Sequence, residues 1–278
     1  MRIISNNVAT AITKLVAVDA LPVVVGNLVV GNLACRDFEP QVAQQGDTAF
    51  GVIGDVALTT HAEATFQIPD VTKVLAVPDL LQLYMQPAVM ALAEKIESDI
   101  LSLYSQFTAN SPVGTGGTAL TEAVVDAAEI AMFQAKVPAA APKYLVVDAA
   151  AYSALRQTPR FSEYRTAGEA GLRVLIDGAV GRIRDFYVFR SQFVPRTGSS
   201  PVTTNNLAFT RQAIGLVVRR LPQPLPGTGA IAEYAEFGDF GLRVIMDYQP
   251  NTLAQRFTVS VLYGCAVLNA KYGIVVRS

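Results

Sequence analysis

The chain has 278 residues, of which 51% are hydrophobic and only 16% are charged. Soluble domains usually carry roughly 25% charged residues, so we expect some apolar surface to be buried against other subunits. The formal net charge is -1, and because like charges form no long block, no electrostatic footprint for nucleic acid is predicted.

The N-terminal part of the chain predicts neither a membrane span nor a secretory signal. Its richest apolar run, Ala20 to Ala34, contains Pro22 and Gly26 and is too short and too polar to span a bilayer. Polar residues also interrupt the apolar core that a secretory signal requires. Cys35 and Cys265 are the only cysteines, which excludes a disulfide framework and indicates reduced thiols made in a cytoplasm.

The segment from Phe38 to Val77 predicts an extended two-stranded arm. It has glycines at positions 46, 51 and 54, and its residues alternate as they do in strands. A two-stranded ribbon is marginally stable alone in water. We therefore expect the arm to lie on a neighbouring subunit.

A long helix is predicted from Pro78 to Phe107, because apolar residues recur there every three or four positions. The stripe consists of Leu81, Met85, Val89, Leu92, Ile96, Ile100, Leu103 and Phe107. Asp79 is a candidate cap for its first turn, and Pro87 either kinks the helix or begins its main segment. A glycine- and threonine-rich stretch at 108–118 ends it.

A small α/β unit and a series of short strands follow. Helices are predicted from Thr121 to Lys136 and from Asp148 to about Gln157, with Asp148 as N-cap, and a strand from Tyr144 to Val147 lies between them. Further strands are predicted at 186–191, 207–209, 216–219, 242–248, 257–263 and 273–277.

Asp239, Phe240 and Gly241 form the tripeptide with which protein kinases hold a metal ion beside ATP. The chain lacks the strand lysine, the catalytic loop and the glycine-rich phosphate cover that phosphoryl transfer also requires. The residues after the tripeptide alternate between apolar and polar, which is typical of a strand with one buried face. We interpret the tripeptide as a turn that enters this strand.

His61 is the only histidine, so a zinc site or a serine-histidine-carboxylate triad would have to use it. It lies in strand-like sequence, and the chain has no nucleophile elbow, so we interpret His61 as a surface or loop residue. We predict no catalytic, cofactor-binding or metal-binding residue. An α/β hydrolase or transferase built on residues 121–220 is an alternative that the single histidine disfavours.

The order of these elements resembles that of tailed-bacteriophage major capsid proteins of the Hong Kong 97 type. The local resemblance lies in "QQGDTAFGVIGD" in the arm, "PDLLQLYMQPAVMALAEKIESDILSLY" in the long helix, "VPAAAPKYLVVDAAAYSALRQ" and "GRIRDFYVFRSQFVP" in the α/β unit, and "RFTVSVLYGCAVLNAKYGIVV" in the closing strands. It extends from about Leu28 onward, and the order and spacing of the motifs are more specific than any one of them.

The resemblance implies an α+β capsid fold with an N-terminal arm, an extended β-hairpin called the E-loop, a peripheral domain that contains a spine helix, and an axial domain. Their predicted bounds are 1–37 for the arm, 38–77 for the E-loop, 78–118 with 240–278 for the peripheral domain, and 119–239 for the axial domain. Assembly and core roles fall on Gly46, Asp47, Lys73, Leu92, Ile96 and Tyr263.

A protein of this type would form hexamers and pentamers that close into an icosahedral shell around double-stranded DNA. The implied partners are copies of the same chain, portal and scaffolding proteins, and DNA held without sequence preference, with no membrane and no cofactor. The implied location is the virion capsid, after assembly in the host cytoplasm. An encapsulin-like nanocompartment, which shares the fold but stores a cargo enzyme, is the alternative.

The sequence departs from the founding member of this group in two respects. Nothing that resembles a cleavable helical scaffold precedes the arm, so we expect a separate scaffolding protein or the short arm to guide assembly. Lys73 lies in the predicted arm, but no motif assigns it an isopeptide partner. Covalent cross-linking between subunits therefore stays open.

Replacing His61 with Asn tests the non-enzymatic interpretation. We expect particle yield and infectivity to stay nearly unchanged, because no base paired with a nucleophile can be assembled around this histidine. Electron microscopy and plaque counts measure the two quantities. A loss of infectivity by orders of magnitude with normal particles would favour an enzyme.

Overall fold

The computed structural model describes residues 28–34, 56–70, 80–157, 181–219, 221–225, 229–237 and 240–278. The helices in this part of the chain are α1 Val30–Leu33, α2 Leu80–Ser102, α3 Glu122–Gln134 and α4 Ala149–Arg156. The strands are β1 Thr60–Pro69, β2 Lys143–Val147, β3 Arg182–Ile183, β4 Phe186–Arg190, β5 Arg196–Thr197, β6 Thr203–Thr210, β7 Ile214–Arg219, β8 Ile231–Phe237, β9 Phe240–Gln249, β10 Ala254–Val267 and β11 Gly273–Arg277. Short 3-10 turns lie at Leu103–Gln106, Arg211–Ala213 and Ala270–Tyr272.

The long helix predicted from Pro78 to Phe107 is α2, which runs from Leu80 to Ser102 and continues as a 3-10 turn. Pro87 lies inside α2, so the helix begins before the proline. Asp79 lies outside the described residues. The buried side chains of the predicted stripe are Met85, Val89, Leu92, Ile96, Ile100, Leu103 and Phe107. Burying one such aliphatic side chain contributes about 1.5–3 kcal/mol, so the stripe is a major source of stability.

One sheet has the strand order β1-β10-β9-β8, and β7 also pairs with β10. The alternation predicted after the Asp-Phe-Gly tripeptide lies in β9, where Leu242, Val244 and Met246 are buried. β8 ends at Phe237 and pairs antiparallel with β9, which begins at Phe240. Phe240 and Gly241 are therefore strand residues, and Asp239 lies outside the described residues.

β1 belongs to the segment predicted as a two-stranded arm. It pairs antiparallel with β10 along its whole length, from Thr60 opposite Tyr263 to Pro69 opposite Ala254, and its Ile68 is buried. This stretch is thus a sheet strand, whereas the sequence predicts a ribbon that needs another subunit to lie on. The remainder of the segment, 38–55 and 71–77, lies outside the described residues.

The second sheet has the order β11-β6-β2-β4-β3, and β5 pairs with β6. β2 and β4 are parallel, while β6 pairs antiparallel with both β2 and β11. One apolar cluster joins Val125 and Met132 of α3 and Leu155 of α4 to Leu145 of β2. Both helices therefore contribute to one core beside this sheet.

Local signals in this region account for the bounds of the helices. The Asp148 carboxylate accepts a hydrogen bond from the amide of Ala149 at 2.6 Å, as an N-cap does, and α4 begins there. Lys136 has φ 61, a left-handed conformation that ends helices. It explains why α3 stops at Gln134 instead of reaching Lys136.

The chain divides into two compact units. One contains the described residues of Met1–Leu28, Val56–Ile96 and Leu216–Cys265, and the other those of Val29–Asp55, Glu97–Gly215 and Ala266–Ser278. β11, which the predicted boundaries assign to the peripheral domain, pairs with β6 of the second sheet. The predicted division into peripheral and axial domains stays a prediction.

Replacing Leu92 with Asp tests the buried stripe. Leu92 is 3% exposed, and burying an unpaired carboxylate costs several kcal/mol, comparable to the whole stability of a domain. We expect this variant not to fold, as measured by circular dichroism and thermal unfolding.

The matched control is Met90→Asp, two positions earlier on the same helix, where the side chain is 43% exposed. This control should unfold cooperatively at nearly the wild-type temperature. A natively folded Leu92→Asp protein would show that the helix buries a different face.

Candidate subunit-contact surfaces

The structure places three of the six residues to which the sequence assigns assembly and core roles. Leu92, Ile96 and Tyr263 are all buried, so they are core side chains within the subunit. Gly46, Asp47 and Lys73 lie outside the described residues. Leu92, Ile96 and Tyr263 therefore offer no surface to another subunit.

The outward side of α3 carries an exposed apolar surface. Phe133 is 73% exposed and Ile130 is 58% exposed, and Ala123 and Ala127 on the preceding turns are also exposed. We call these four residues the α3 surface. The opposite side of the helix packs into the core, so α3 is apolar on two sides, and a helix of that kind is usually buried.

Two of the three acidic residues of α3, Glu122 and Asp126, form ion pairs at its flank. Arg184, in the turn between β3 and β4, donates to the Asp126 carboxylate at 2.7 and 3.0 Å and lies 3.2 Å from Glu122. The hydrogen bond to Asp126, then its charge, raises the pKa of the Arg184 guanidinium. The guanidinium of Arg184 therefore compensates the charges of two of the acidic residues beside the α3 surface.

Sequence patterns alone do not distinguish the α3 surface from the core face of the same helix. Val125, Ala128 and Met132 face the core, while Ile130 and Phe133 are just as apolar and face outward. Charge gives no signal for the surface either, because Glu122, Asp126 and Glu129 make this helix no poorer in charged residues than the chain as a whole.

Glu97 of α2 is a buried carboxyl group, with only 1% of the residue exposed. Its two oxygens each accept from the Val30 amide at 3.0 Å, and one of them also accepts from the Gly31 amide at 3.3 Å. The Ser191 hydroxyl donates to the other oxygen at 3.3 Å. One side chain therefore connects α1, α2 and the end of β4.

Burial raises the pKa of the Glu97 carboxyl, and the hydrogen bonds from Val30, Gly31 and Ser191 oppose that shift. The pKa of the Glu97 carboxyl is higher in the folded than in the unfolded chain, so binding a proton at Glu97 stabilises the fold. This contribution to stability is complete below the unfolded-state pKa. It is lost as the pH rises through the folded-state pKa.

The residues considered for catalysis do not converge in the described part of the chain. His61 is exposed on β1, and Cys265 is half-buried on β10, while Cys35 lies outside the described residues. No group of three or more His, Cys, Asp or Glu residues there could hold a metal ion. No helix among the same residues is long and apolar enough to cross a membrane.

The glycine-rich stretch at 114–120 is packed against the C-terminal strand. The Val113 amide donates to Val275 at 3.0 Å, and the Arg277 amide donates to Val113 at 2.8 Å. Gly114 has φ 85, and a Cβ atom at this position would collide with the Arg277 carbonyl. The glycine is required for close packing of the backbone.

Comparisons with known proteins agree with this description. The sequence profile described as phage capsid protein matches residues 70–276, and no curated protein matches the chain. Among solved structures, that from Mycobacterium phage Che8 is similar with a TM-score of 0.63 and 17% identity, covering 90% of each chain. The capsid of the cyanophage P-SCSP1u gives a TM-score of 0.52 and 16% identity, covering 87% of this chain and 80% of that one.

A virus-like particle from Pyrococcus furiosus is also similar, with a TM-score of 0.51 and 12% identity over 92% of this chain and 97% of that one. These identities show likeness of fold, while the matching profile spans most of the sequence. The chain therefore belongs to the phage capsid protein family and has the α+β Hong Kong 97-type capsid fold that its sequence predicts.

Proposed function

We propose that this chain forms hexamers and pentamers that close into an icosahedral shell enclosing double-stranded DNA. Membership of the phage capsid protein family establishes the coarser role, a structural shell protein of the virion that self-assembles. The observation that carries the proposal is the match of the family profile to residues 70–276. A closed shell with curvature in every direction needs five-fold positions among six-fold ones, hence both kinds of ring.

The proposed contacts between subunits include the α3 surface. Leaving the apolar side chains of Ile130 and Phe133 in water is unfavourable. In a protein that self-assembles, a neighbouring copy is always available to cover them. The low charged fraction of 16% fits a subunit whose outer surface is partly covered in the assembled state.

The proposed relation to DNA is weak and independent of sequence. Strong binding to duplex DNA requires clustered lysine and arginine, and the chain has 22 basic against 23 acidic residues. A wall that is nearly neutral overall would let a genome move past it during packaging. Portal and scaffolding proteins, and assembly in the host cytoplasm, complete the proposal.

An encapsulin-like nanocompartment is the second candidate. The similarity to the Pyrococcus furiosus virus-like particle over 92% of this chain concerns the fold alone, and one fold can serve both kinds of shell. The contents of the shell distinguish the two: double-stranded DNA for a phage capsid, and a cargo protein for a nanocompartment.

The proposed shell is tested by electron microscopy of particles purified from cells that produce the whole phage. Nuclease protection and protein analysis then identify the contents of the particles. We expect closed icosahedral particles with five-fold and six-fold rings that protect double-stranded DNA. Particles that hold one cargo protein and no DNA would favour the nanocompartment. A chain that forms no closed particles would contradict both.

Replacing Phe133 with Ser tests the α3 surface. We expect a folded subunit whose particle yield falls at least about tenfold, because each lost interface contact of about 1.4 kcal/mol is worth a factor of ten in association. Sedimentation of the purified protein separates shells from free subunits.

The matched control is Phe133→Leu, which keeps an apolar side chain at the same position and should assemble nearly as the wild type does. Wild-type particle yield from Phe133→Ser would show that this surface stays exposed in the shell.

A further inference from the structure

β11 lies at one end of the strand order of the second sheet, where it pairs with β6 on one side. The strand is rich in β-branched residues, and Ile274, Val275 and Val276 are buried. An apolar strand at the edge of a sheet is a template on which a strand of another chain can pair. A chain that self-assembles brings many copies of such an edge close together.

The pairing with β6 shows which backbone groups of β11 point away from the sheet. The Ser278 amide donates to the Thr204 carbonyl at 3.0 Å, and the Thr204 amide donates to the Ser278 carbonyl at 2.8 Å. In an antiparallel pair, residues that exchange both hydrogen bonds alternate with residues that exchange none. The backbone groups of Gly273, Val275 and Arg277 therefore face outward, along the outer edge of β11.

Residues 110–114, which we call the edge strap, lie on this outer edge in the loop between α2 and α3. The Val113 amide donates to the Val275 carbonyl at 3.0 Å, and the Arg277 amide donates to the Val113 carbonyl at 2.8 Å. One residue of the strap thus pairs with β11 as a parallel strand does. It occupies two of the outward backbone groups.

The Asn110 side chain continues this pairing. Its amide nitrogen donates to the Gly273 carbonyl and to the Lys271 carbonyl, both at 2.9 Å. A side-chain amide supplies the same kind of donor as a backbone amide, so Asn110 takes the place of a further strand residue. Together with Val113 it engages an outward group at every second residue of β11.

The chain that follows the strap packs closely on the strand next to β11. A Cβ atom at Gly116 would collide with the Thr203 side chain, and a Cβ atom at Gly117 would collide with Pro201. Thr203 is the first residue of β6, and Pro201 precedes it. These glycines therefore let the backbone lie directly against the start of β6, which holds the strap at its second end.

We infer that the edge strap is an autoinhibitory cover, which occupies the outer edge of β11 and prevents the β11 strand of a second copy from pairing there. Two β11 strands that paired would join their subunits as a two-fold symmetric dimer. Such dimers would remove subunits from shell assembly. With the strap closed, copies of the chain associate through side-chain surfaces instead of through a continuous sheet.

The test compares the wild-type chain with Asn110→Asp, which keeps the size of the side chain but has no donor for the two carbonyls when it is ionised. Ser111→Asp is the matched control, because it adds the same negative charge at the neighbouring, exposed position. Amide hydrogen exchange is measured on free subunits at Arg277 and, as an internal reference, at Val146. Sedimentation and electron microscopy separate free subunits, dimers and closed shells.

We expect exchange at Arg277 to rise at least about tenfold in Asn110→Asp, because the strap loses two hydrogen bonds. Exchange at Val146 should not change. Since pairing of β11 requires an open strap, the apparent affinity of dimerisation should rise by at least the same factor, and the Arg277 amide should be protected again in the dimers. Ser111→Asp should match the wild type in every measurement.

Unchanged exchange at Arg277 in Asn110→Asp would overturn the strap, as would a wild-type Arg277 amide that exchanges as fast as in an unfolded chain. Faster exchange without dimers, or dimers in which this amide stays unprotected, would overturn the autoinhibitory role. If Asn110→Asp does not fold, Asn110→Ser, which is shorter and adds no charge, replaces it with the same expected results.

Discussion

The burial of one apolar stripe along α2 is the interaction on which the rest of the subunit depends. The stripe runs from Met85 to Ile100 along the helix and continues to Phe107 beyond it. Removing this surface from water is favourable, and it fixes which face of the helix points inward. Glu97 lies on the buried side of α2 as well. Burying the stripe therefore also buries this carboxyl group, which needs hydrogen-bond donors inside the protein.

Patterns within single elements made much of this fold predictable. The period of α2, the alternation in β9 and the capping carboxylate of Asp148 each depend on neighbours only a few residues away, so the sequence contains the whole signal. The bounds of β11, Gly273 to Arg277, agree with the predicted strand for the same reason. The resemblance to the capsid fold depends on the order and spacing of these local elements.

Features that depend on distant partners were not predictable in the same way. β1 pairs with β10 across almost 200 residues, as Thr65 and Thr258, 193 positions apart, illustrate, and its alternation fits a free ribbon equally well. The donors to Glu97 lie on α1 and beside β4, which no periodicity connects to α2. The sequence does not predict the α3 surface, because Ile130 and Met132 are equally apolar although Ile130 is exposed and Met132 is buried.

A capsid subunit has to fold alone and still keep surfaces for its neighbours, and we propose the α3 surface as one of them. A reconstruction of the assembled shell by electron cryomicroscopy shows which side chains the neighbouring subunits cover. We expect a neighbouring subunit to cover Phe133 and Ile130 within rings of five and six copies. A shell in which both side chains face bulk solvent would contradict it.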